Sequence, residues 1–563
     1  MPVERNGHPP WTPPTTGEDL GLYISNSLTG CTKEKFIPMN GRQVKMYLCG
    51  PTVYDMSHVG HARTYLTFDI MRRIMEEYFG YDVLFQVNIT DIDDKIIMRA
   101  RQNHLVAQYV EQNKGDRKKV AEDCDAAMVA FSKKLDAKLA ELGIASKDLR
   151  VEAERVEKLK EQTFKIDQHK EFYATFQALV KDSKTGVEEI VAASKDQIAA
   201  KLDDELKHTV TDNKVFEAHG RKYEKYFMED LAGLGIKVPD VVTRITEYVP
   251  EVVKYCQKIV DNGLAYESRG IIYFDTAEFK KRQNHYPKLV PTAGSATAAE
   301  QQESEGALSS DFAHEKRHPN DFALWKKSKP GECKWESPWG EGRPGWHIEC
   351  SVMASEILGD QMDIHGGGSD LKFPHHDNEC AQSEAFWGNK QWVNYFAHTG
   401  HLHIKGLKMS KSLKNFITIR QSLEIYSARQ IRIMFLMVGW DKPMEYSDKT
   451  LQAACVREQK FNAFFGAVKT LIRNATAEEQ ARSQKWGKEE VALNEYVSKC
   501  QAAVRAALSD NFDYPTAMLE LNELMSEVNK YITEVGEDKA NPPIVSKVLI
   551  HNSVMQFEIH RHF

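Results

Sequence analysis

Residues 45–64, KMYLCGPTVYDMSHVGHART, constrain the fold more than any other stretch of the chain. Lys45 to Leu48 read as a strand, Cys49-Gly50-Pro51 breaks it, and a helix opens near His58. A strand that turns sharply into a helix gathers backbone N–H groups and the positive helix end at one point, which suits a phosphate. Such a turn belongs to an open α/β sheet, where ligands sit at the carboxyl ends of the strands. Cys49 stands at such an end. His58 and His61, spaced i, i+3, share one face of the first helical turn. A plainer alternative is a capped helix with two solvated histidines and a buried thiol.

The neighbouring pattern extends the α/β reading. Residues 62–78 carry Leu66, Ile70 and Ile74 at helical spacing, and Gly80 suits the helix end. Residues 83–89 are rich in β-branched and aromatic side chains and predict the next parallel strand, followed by Thr90-Asp91-Ile92-Asp93-Asp94. Upstream, residues 1–40 read as a loose, Pro-rich lead-in. Residues 102–226 are rich in Lys, Glu, Ala and Asp, and predict a run of helices whose charges face water. Residues 238–262 read as a further helix starting near Pro239. Residues 264–275 read as a hairpin turning at Ser268-Arg269-Gly270, and residues 291–312 as a low-complexity loop. Strand-and-helix patterning returns over 345–420. From Gln421 to about Glu534, apolar residues at helical spacing (Leu451, Cys455, Phe461, Phe464, Phe465) predict a helical bundle.

Composition narrows the setting. The chain has 563 residues, enough for several domains, and a net charge of -7, which argues against non-specific coating of nucleic acid. Nine scattered cysteines without a secreted spacing pattern suggest a reducing compartment. The N-terminal residues mix Pro, Gly and acids, unlike a signal or transit peptide, and no apolar run is long enough for a membrane span. The expected location is the cytosol.

Two further segments carry unusual residues. In 363–380, DIHGGGSDLKFPHHDNEC, a strand is expected to end at Ile364, and three glycines would let a ligand approach the backbone. A helix beginning after Pro374 offers His375 with Glu379 and His376 with Cys380. Both pairs are i, i+4, and either could present two metal ligands. With Cys350 and Cys49 this gives a plausible Cys, Cys, His, carboxylate zinc set, against which stands the reading of core thiols and a packed histidine. The second segment, Lys408-Met409-Ser410-Lys411-Ser412, could close over phosphates or be a solvated basic turn. Other patterns fit less well. There is no P-loop. GEGRPG at 340–345 lacks a preceding strand pattern, and HGGG at 365–368 has no nucleophile elbow to serve. HEKRH at 314–318 matches H-E-x-x-H but is followed by Pro319, which biases His318 away from helix.

Cys49 to Asp55, His58-Val59-Gly60-His61, Asn88 to Ile97, Arg343 to Cys350, the glycine–histidine segment and Lys408 to Ser412 together resemble cysteinyl-tRNA synthetases of the eukaryotic cytosolic type. The resemblance runs in order from Lys45 to about Ala540, with His58–His61 as the first class I signature (Val59 replacing Ile) and Lys408–Ser412 as the second. It implies a Rossmann-like class I catalytic domain, an α/β fold with a helical insertion and a C-terminal helical bundle. It implies an ATP-dependent ligase for L-cysteine and tRNA(Cys), with Mg²⁺ accompanying ATP and Zn²⁺ held by Cys49, Cys350, His375 and Glu379. Gly50, Thr90, Trp346 and His375 would line the cysteine pocket. His58, Gly60, His61, Gly368, Asp370, Lys408 and Lys411 would contact ATP, with His58, His61 and Lys411 catalytic. The domain expectation is an extension at 1–40, catalytic halves at 41–101 and 343–420, an insertion at 102–226, and a connective region at 227–342. A bundle at 421–540 and a tail at 541–563 complete it. The resemblance fades near Pro542, so the anticodon-binding domain of such synthetases is expected to be missing from the chain.

Overall fold

The computed structural model describes residues 7–143, 149–293, 308, 315–404, 406–411, 413–475, 485–537 and 539–547. The N-terminal segment is not the loose lead-in its prolines suggest. Tyr23–Asn26 (β1) and Thr32–Lys35 (β2) pair antiparallel. Trp11, Leu22, Ile24 and Phe36 are buried, and the Trp11 indole N–H donates to the Asn394 carbonyl at 2.7 Å. The side-chain oxygen of Asn26 accepts the Phe396 N–H at 3.0 Å, occupying an edge where another strand would pair. Four apolar residues so far apart leave no periodicity to read.

The central sheet follows from the predicted strand–turn–helix. Gln43–Leu48 (β3) leads into Val59–Arg73 (α1), which continues as a wider π turn over Ile74–Phe79. Gly80, at φ +79°, ends it by donating to the Met75 carbonyl. Asp82–Ile89 (β4) then lies parallel to β3. A helical excursion follows: Asp94–Gln112 (α2), Arg117–Leu142 (α3), Leu149–Lys181 (α4), Val187–Ala193 (α5), Lys195–Leu206 (α6) and Asn213–Gly233 (α7).

The chain returns as Val241–Arg244 (β5), parallel to β4. The expected helix over 238–262 is therefore corrected. Its β-branched start, Val241-Val242-Thr243, joins the sheet edge, and helix begins only at Val249–Asp261 (α8), with Pro250 rather than Pro239 in its first turn. The hairpin forms as expected, with Ala265–Ser268 (β6) and Ile271–Phe274 (β7) joined at Arg269 (φ +51°) and Gly270 (φ +84°). Phe322–Lys327 (β8) and Gly342–Pro344 (β9) extend that sheet, so Pro344 lies in an edge strand. Most of the low-complexity stretch at 291–312 lies outside the described residues.

Trp346–Leu358 (α9), Met362–Gly368 (β10), Asp377–Trp387 (α10) and Val393–Thr399 (β11) complete the domain. The strand expected to stop at Ile364 runs on through the glycines. A Cβ on Gly366 would meet the Phe68 ring at 2.3 Å, so the glycines let the sheet lie close against α1. The order β11-β10-β3-β4-β5 is parallel throughout and reverses direction of growth between β3 and β10, a topological switch point. The bundle comprises Ile419–Ile425 (α11), Ala428–Leu436 (α12), Asp448–Asn474 (α13), Lys488–Ser509 (α14) and Tyr514–Val535 (α15). Leu451, Phe461, Phe464 and Phe465 are buried as their spacing predicts. No described helix is long and apolar enough to cross a membrane.

One buried carboxylate ties the signature helix to the bundle. Asp69 on α1 accepts from Arg73 at 3.0 Å, from Arg432 on α12 at 2.7 Å, and from the Lys237 backbone N–H at 2.8 Å. Burial pushes its pKa up, but the two guanidiniums outweigh that and hold it below the usual range. Asp69→Asn leaves two buried guanidiniums short of their anion. It is expected to destabilise the fold by about 3–5 kcal/mol, read as a lower midpoint in urea. A change within about 0.5 kcal/mol would show that Asp69 carries no such load.

Candidate active site and metal cluster

Three strand ends converge at the switch point. Gly50 follows β3, and its N–H donates to the Asn88 side chain at 2.7 Å; a Cβ there would sit 1.4 Å from the Asn88 carbonyl oxygen. Only glycine allows β3 and β4 to approach so closely. Cys49 is thereby held beside α9, which carries Cys350, and α10, which carries Glu379. The two thiols are 3.7 Å apart, and the Cys49 Sγ lies 3.5 Å from Glu379 Oε1. His375 Nε2 lies 2.9 Å from the same oxygen. The ligand atoms of Cys49, Cys350, His375 and Glu379 all fall within 4.8 Å of one another, and all four residues are buried.

A second group shares two of these members: Cys49, His365, His376 and Glu379. His365 Nε2 donates to Glu379 Oε2 at 2.7 Å, and His376 Nδ1 faces His398 Nε2 at 2.8 Å. His347 Nδ1 backs His375 Nδ1 at 2.9 Å. Of the two i, i+4 pairs, His375 and Glu379 meet directly. Cys380 belongs to neither group, and burial pushes its thiol well up.

The electrostatics suit a cation. Burial would raise Glu379, but His365 and then His375 outweigh it and hold the carboxyl at about 2. Burial would lower His375, but Glu379 and Cys350 raise it to about 10. The hydrogen bond from Cys49 brings Cys350 down to about 6, while burial pushes Cys49 well up. Two thiols, an imidazole and a carboxylate, dry and backed by second histidines, match the donors and outer partners of a tetrahedral zinc centre.

Beside this cluster lies the predicted phosphate site. His58 caps α1: its Nδ1 accepts the His61 N–H at 3.3 Å, and His61 Nδ1 accepts the His58 N–H at 3.4 Å. The rings stack at 3.7 Å. A Cβ on Gly60 would come within 2.8 Å of the His58 ring, so glycine there permits the stack. Burial, then Lys411 and Lys408, lower His58 to about 3, and burial, then His58, holds His61 well below the usual imidazole range. Both rings are neutral. With each Nδ1 accepting a backbone N–H, each proton sits on Nε2, leaving two donors beside the helix end.

The remaining residues of the expected pockets bond to other protein groups. Thr90 Oγ1 donates to the buried Glu349 at 3.2 Å. Trp346, in the first turn of α9, stacks on His375 at 4.4 Å. Gly368 ends β10, and Asp370 just beyond it accepts from Lys408 at 3.1 Å. Lys411 Nζ donates to the Asp55 carbonyl at 3.0 Å and lies 4.2 Å from the centre of the Tyr54 ring; burial lowers it to about 8. Ser412 lies outside the described residues. Backbone bonds from Val59 to Ile417 and from Ile419 to Ser57 join the start of α1 to the stretch that follows the second signature.

Sequence reasoning missed His347, His365 and His398 around the cluster, although His365 opens the HGGG run. The H-E-x-x-H match is not a metal site in the described residues. Glu315 pairs with Arg269 at 3.3 Å and His318 accepts from Asn320, while His314 lies outside the described residues.

A family model described as the class I (C) tRNA synthetase catalytic domain matches residues 35–456. The fold resembles the solved Mycobacterium tuberculosis methionyl-tRNA synthetase in complex with methionyl-adenylate, with a TM-score of 0.55, 13% identity and 92% of both chains covered. The cytoplasmic cysteine--tRNA ligases of Macaca fascicularis and Homo sapiens are each 47% identical over 538 residues, covering 94% of this chain and 69% of theirs. The Drosophila melanogaster protein of the same name is 44% identical over 546 residues, covering 94% and 71%. The chain belongs to the class I tRNA synthetases and, within them, to the cysteine--tRNA ligases.

The ring pair makes a direct prediction. In histidine-labelled protein, the His58 signal, assigned by its loss in His58→Asn, stays at its neutral position from pH 8 down to pH 5 because its pKa lies near 3. An exposed imidazole would protonate near about 6.5, and a midpoint there would contradict the buried, neutral pair.

Proposed function

We propose that the chain activates L-cysteine with ATP, releasing pyrophosphate, and transfers the cysteinyl group from the adenylate to the 3' end of tRNA(Cys). The observation that carries this reading is the juxtaposition of a dry thiol–imidazole–carboxylate cluster with neutral donors at a helix N-terminus. One binds sulfur and the other phosphate. The relatives' names assign the reaction to the cytoplasm.

The residues divide between substrates. Cys49, Cys350, His375 and Glu379 would hold zinc, in preference to the second group because they supply two thiols rather than one. When bound there, zinc supplies a soft Lewis acid that favours a thiolate over a hydroxyl. That preference bears on the main selectivity problem, since serine is nearly the same shape and a pocket reading shape alone rejects such a mimic poorly. Trp346, stacked on His375, forms one wall of the amino-acid pocket. Gly50 and Thr90 would add backbone and hydroxyl groups to that pocket.

The carboxylate oxygen of cysteine attacks the α-phosphorus of ATP as the bond to pyrophosphate breaks. Charge builds on the phosphate oxygens. His58 and His61 meet it as Nε2–H donors together with the N–H groups opening α1, all held in place beforehand. Gly60 keeps the backbone open there. Asp370 and Gly368 face the nucleoside side, and Lys408 and Lys411 neutralise the outer phosphates, with Mg²⁺ accompanying ATP. Lys411 must exchange the Asp55 carbonyl for a phosphate oxygen, whose negative charge would keep the partly desolvated ammonium protonated.

Purified protein is expected to exchange labelled pyrophosphate into ATP with cysteine and not with serine. Removing zinc with a chelator should cut the rate by at least about 10-fold, and tRNA(Cys) should then be charged by the metal-replete enzyme. Exchange without amino-acid dependence, or with serine preferred, would refute the assignment.

A further inference from the structure

The helices between β4 and β5 were expected to form a solvated insert, yet three of them touch the segments that carry the two signatures. His219 on α7 contacts the Tyr54 carbonyl at 2.9 Å, and a Cβ on Gly220 would lie 2.8 Å from the Asp91 carbonyl oxygen. Asp196 on α6 stands between two cations. Its Oδ2 is 2.6 Å from Lys414 Nζ, and its Oδ1 accepts from Arg99 on α2 at 3.0 Å. From α4, Gln168 reaches the Lys414 carbonyl at 3.5 Å, and the Phe172 ring centre lies 5.0 Å from Lys414 Nζ.

Lys414 is the far end of the turn that carries Lys411. Its backbone takes φ +52°, an uncommon conformation for a lysine, and its N–H donates to the Lys411 carbonyl at 3.1 Å. One continuous set of contacts therefore runs from α6 through Lys414 and the turn to Lys411, and on to Asp55 and Tyr54 ahead of His58.

We infer that Asp196 is a positioning residue for cysteine activation: by gripping Lys414 it fixes the turn that places the Lys411 ammonium beside the His58/His61 helix end. This gives the inserted helices a role in the nucleotide half of the reaction and rests on the function proposed above. The alternative is an ordinary surface ion pair. Both partners are more than a third exposed, so the pair contributes little to folding. Its effect, if the inference holds, is on the position of Lys411 rather than on stability.

Cysteine-dependent ATP–pyrophosphate exchange by the full chain, loaded with zinc, separates the two. Asp196→Asn and Lys414→Met are each expected to lower kcat/KM for ATP about tenfold, as a small misplacement of a catalytic group does. KM for cysteine and the thermal midpoint should not move. The double variant should be no worse than either single one, and Asp196→Glu should recover most of the loss. If the wild type exchanges and the single variants match it, or their losses multiply in the double variant, or KM for cysteine shifts as much as that for ATP, the inference is overturned. If the wild type itself shows no cysteine-dependent exchange, the proposed function fails first and takes the inference with it.

Discussion

Glu379 holds a negative charge where no water reaches it, and the catalytic centre is arranged around that fact. A buried carboxylate is costly unless it is paired and hydrogen-bonded. Here one oxygen faces His365, while the other faces His375 and Cys49. Those three partners and Cys350 come from four different places in the chain, and only the parallel sheet brings them together. β3 delivers Cys49, α9 delivers Cys350, β10 delivers His365, and the turn into α10 delivers His375 with Glu379 itself. Gly50, wedged against the Asn88 carbonyl, sets how close β3 and β4 can come and so fixes the position of Cys49.

The nucleotide half follows a different physical logic. Its donors are neutral and local: two imidazoles that cap one helix and stack on each other. Its cations sit on a turn further along the chain, already partnered with Asp370, Asp55 and Asp196. Neutral groups keep their geometry whether or not a phosphate is present. Charged ones must exchange one partner for another, and the elements that hold them govern how readily they do so. The helices between β4 and β5 enter the chemistry at this point.

Local features were legible in the sequence, and distant pairings were not. The break at Cys49-Gly50-Pro51, the cap at His58, the end at Gly80 and the turn at Arg269-Gly270 are each set by neighbours a few residues apart. The strand Val241–Arg244 was misread as helix because its β-branched residues gain from pairing with β4, a contact more than 150 residues away in the chain. The N-terminal hairpin was missed because Trp11, Leu22, Ile24 and Phe36 show no period, although each is buried. At the site, two i, i+4 pairs were equivalent on spacing. Only the packing of α10 against α9, which turns Glu379 toward Cys49, separates Glu379, which meets His375, from Cys380, which belongs to neither ligand group. The outer histidines at 347, 365 and 398 were unreadable for the same reason: nothing in one dimension says which imidazoles share a pocket.

The central claim is that two thiols, one imidazole and one carboxylate at the switch point hold zinc. X-ray absorption at the zinc edge of the freshly purified chain tests it most directly. The account predicts about one zinc per chain with two sulfur ligands at about 2.3 Å and two nitrogen or oxygen ligands at about 2.0–2.2 Å. A shell with a single sulfur would move the metal to the group containing His365 and His376. A shell without sulfur, or no bound zinc, would contradict the account outright.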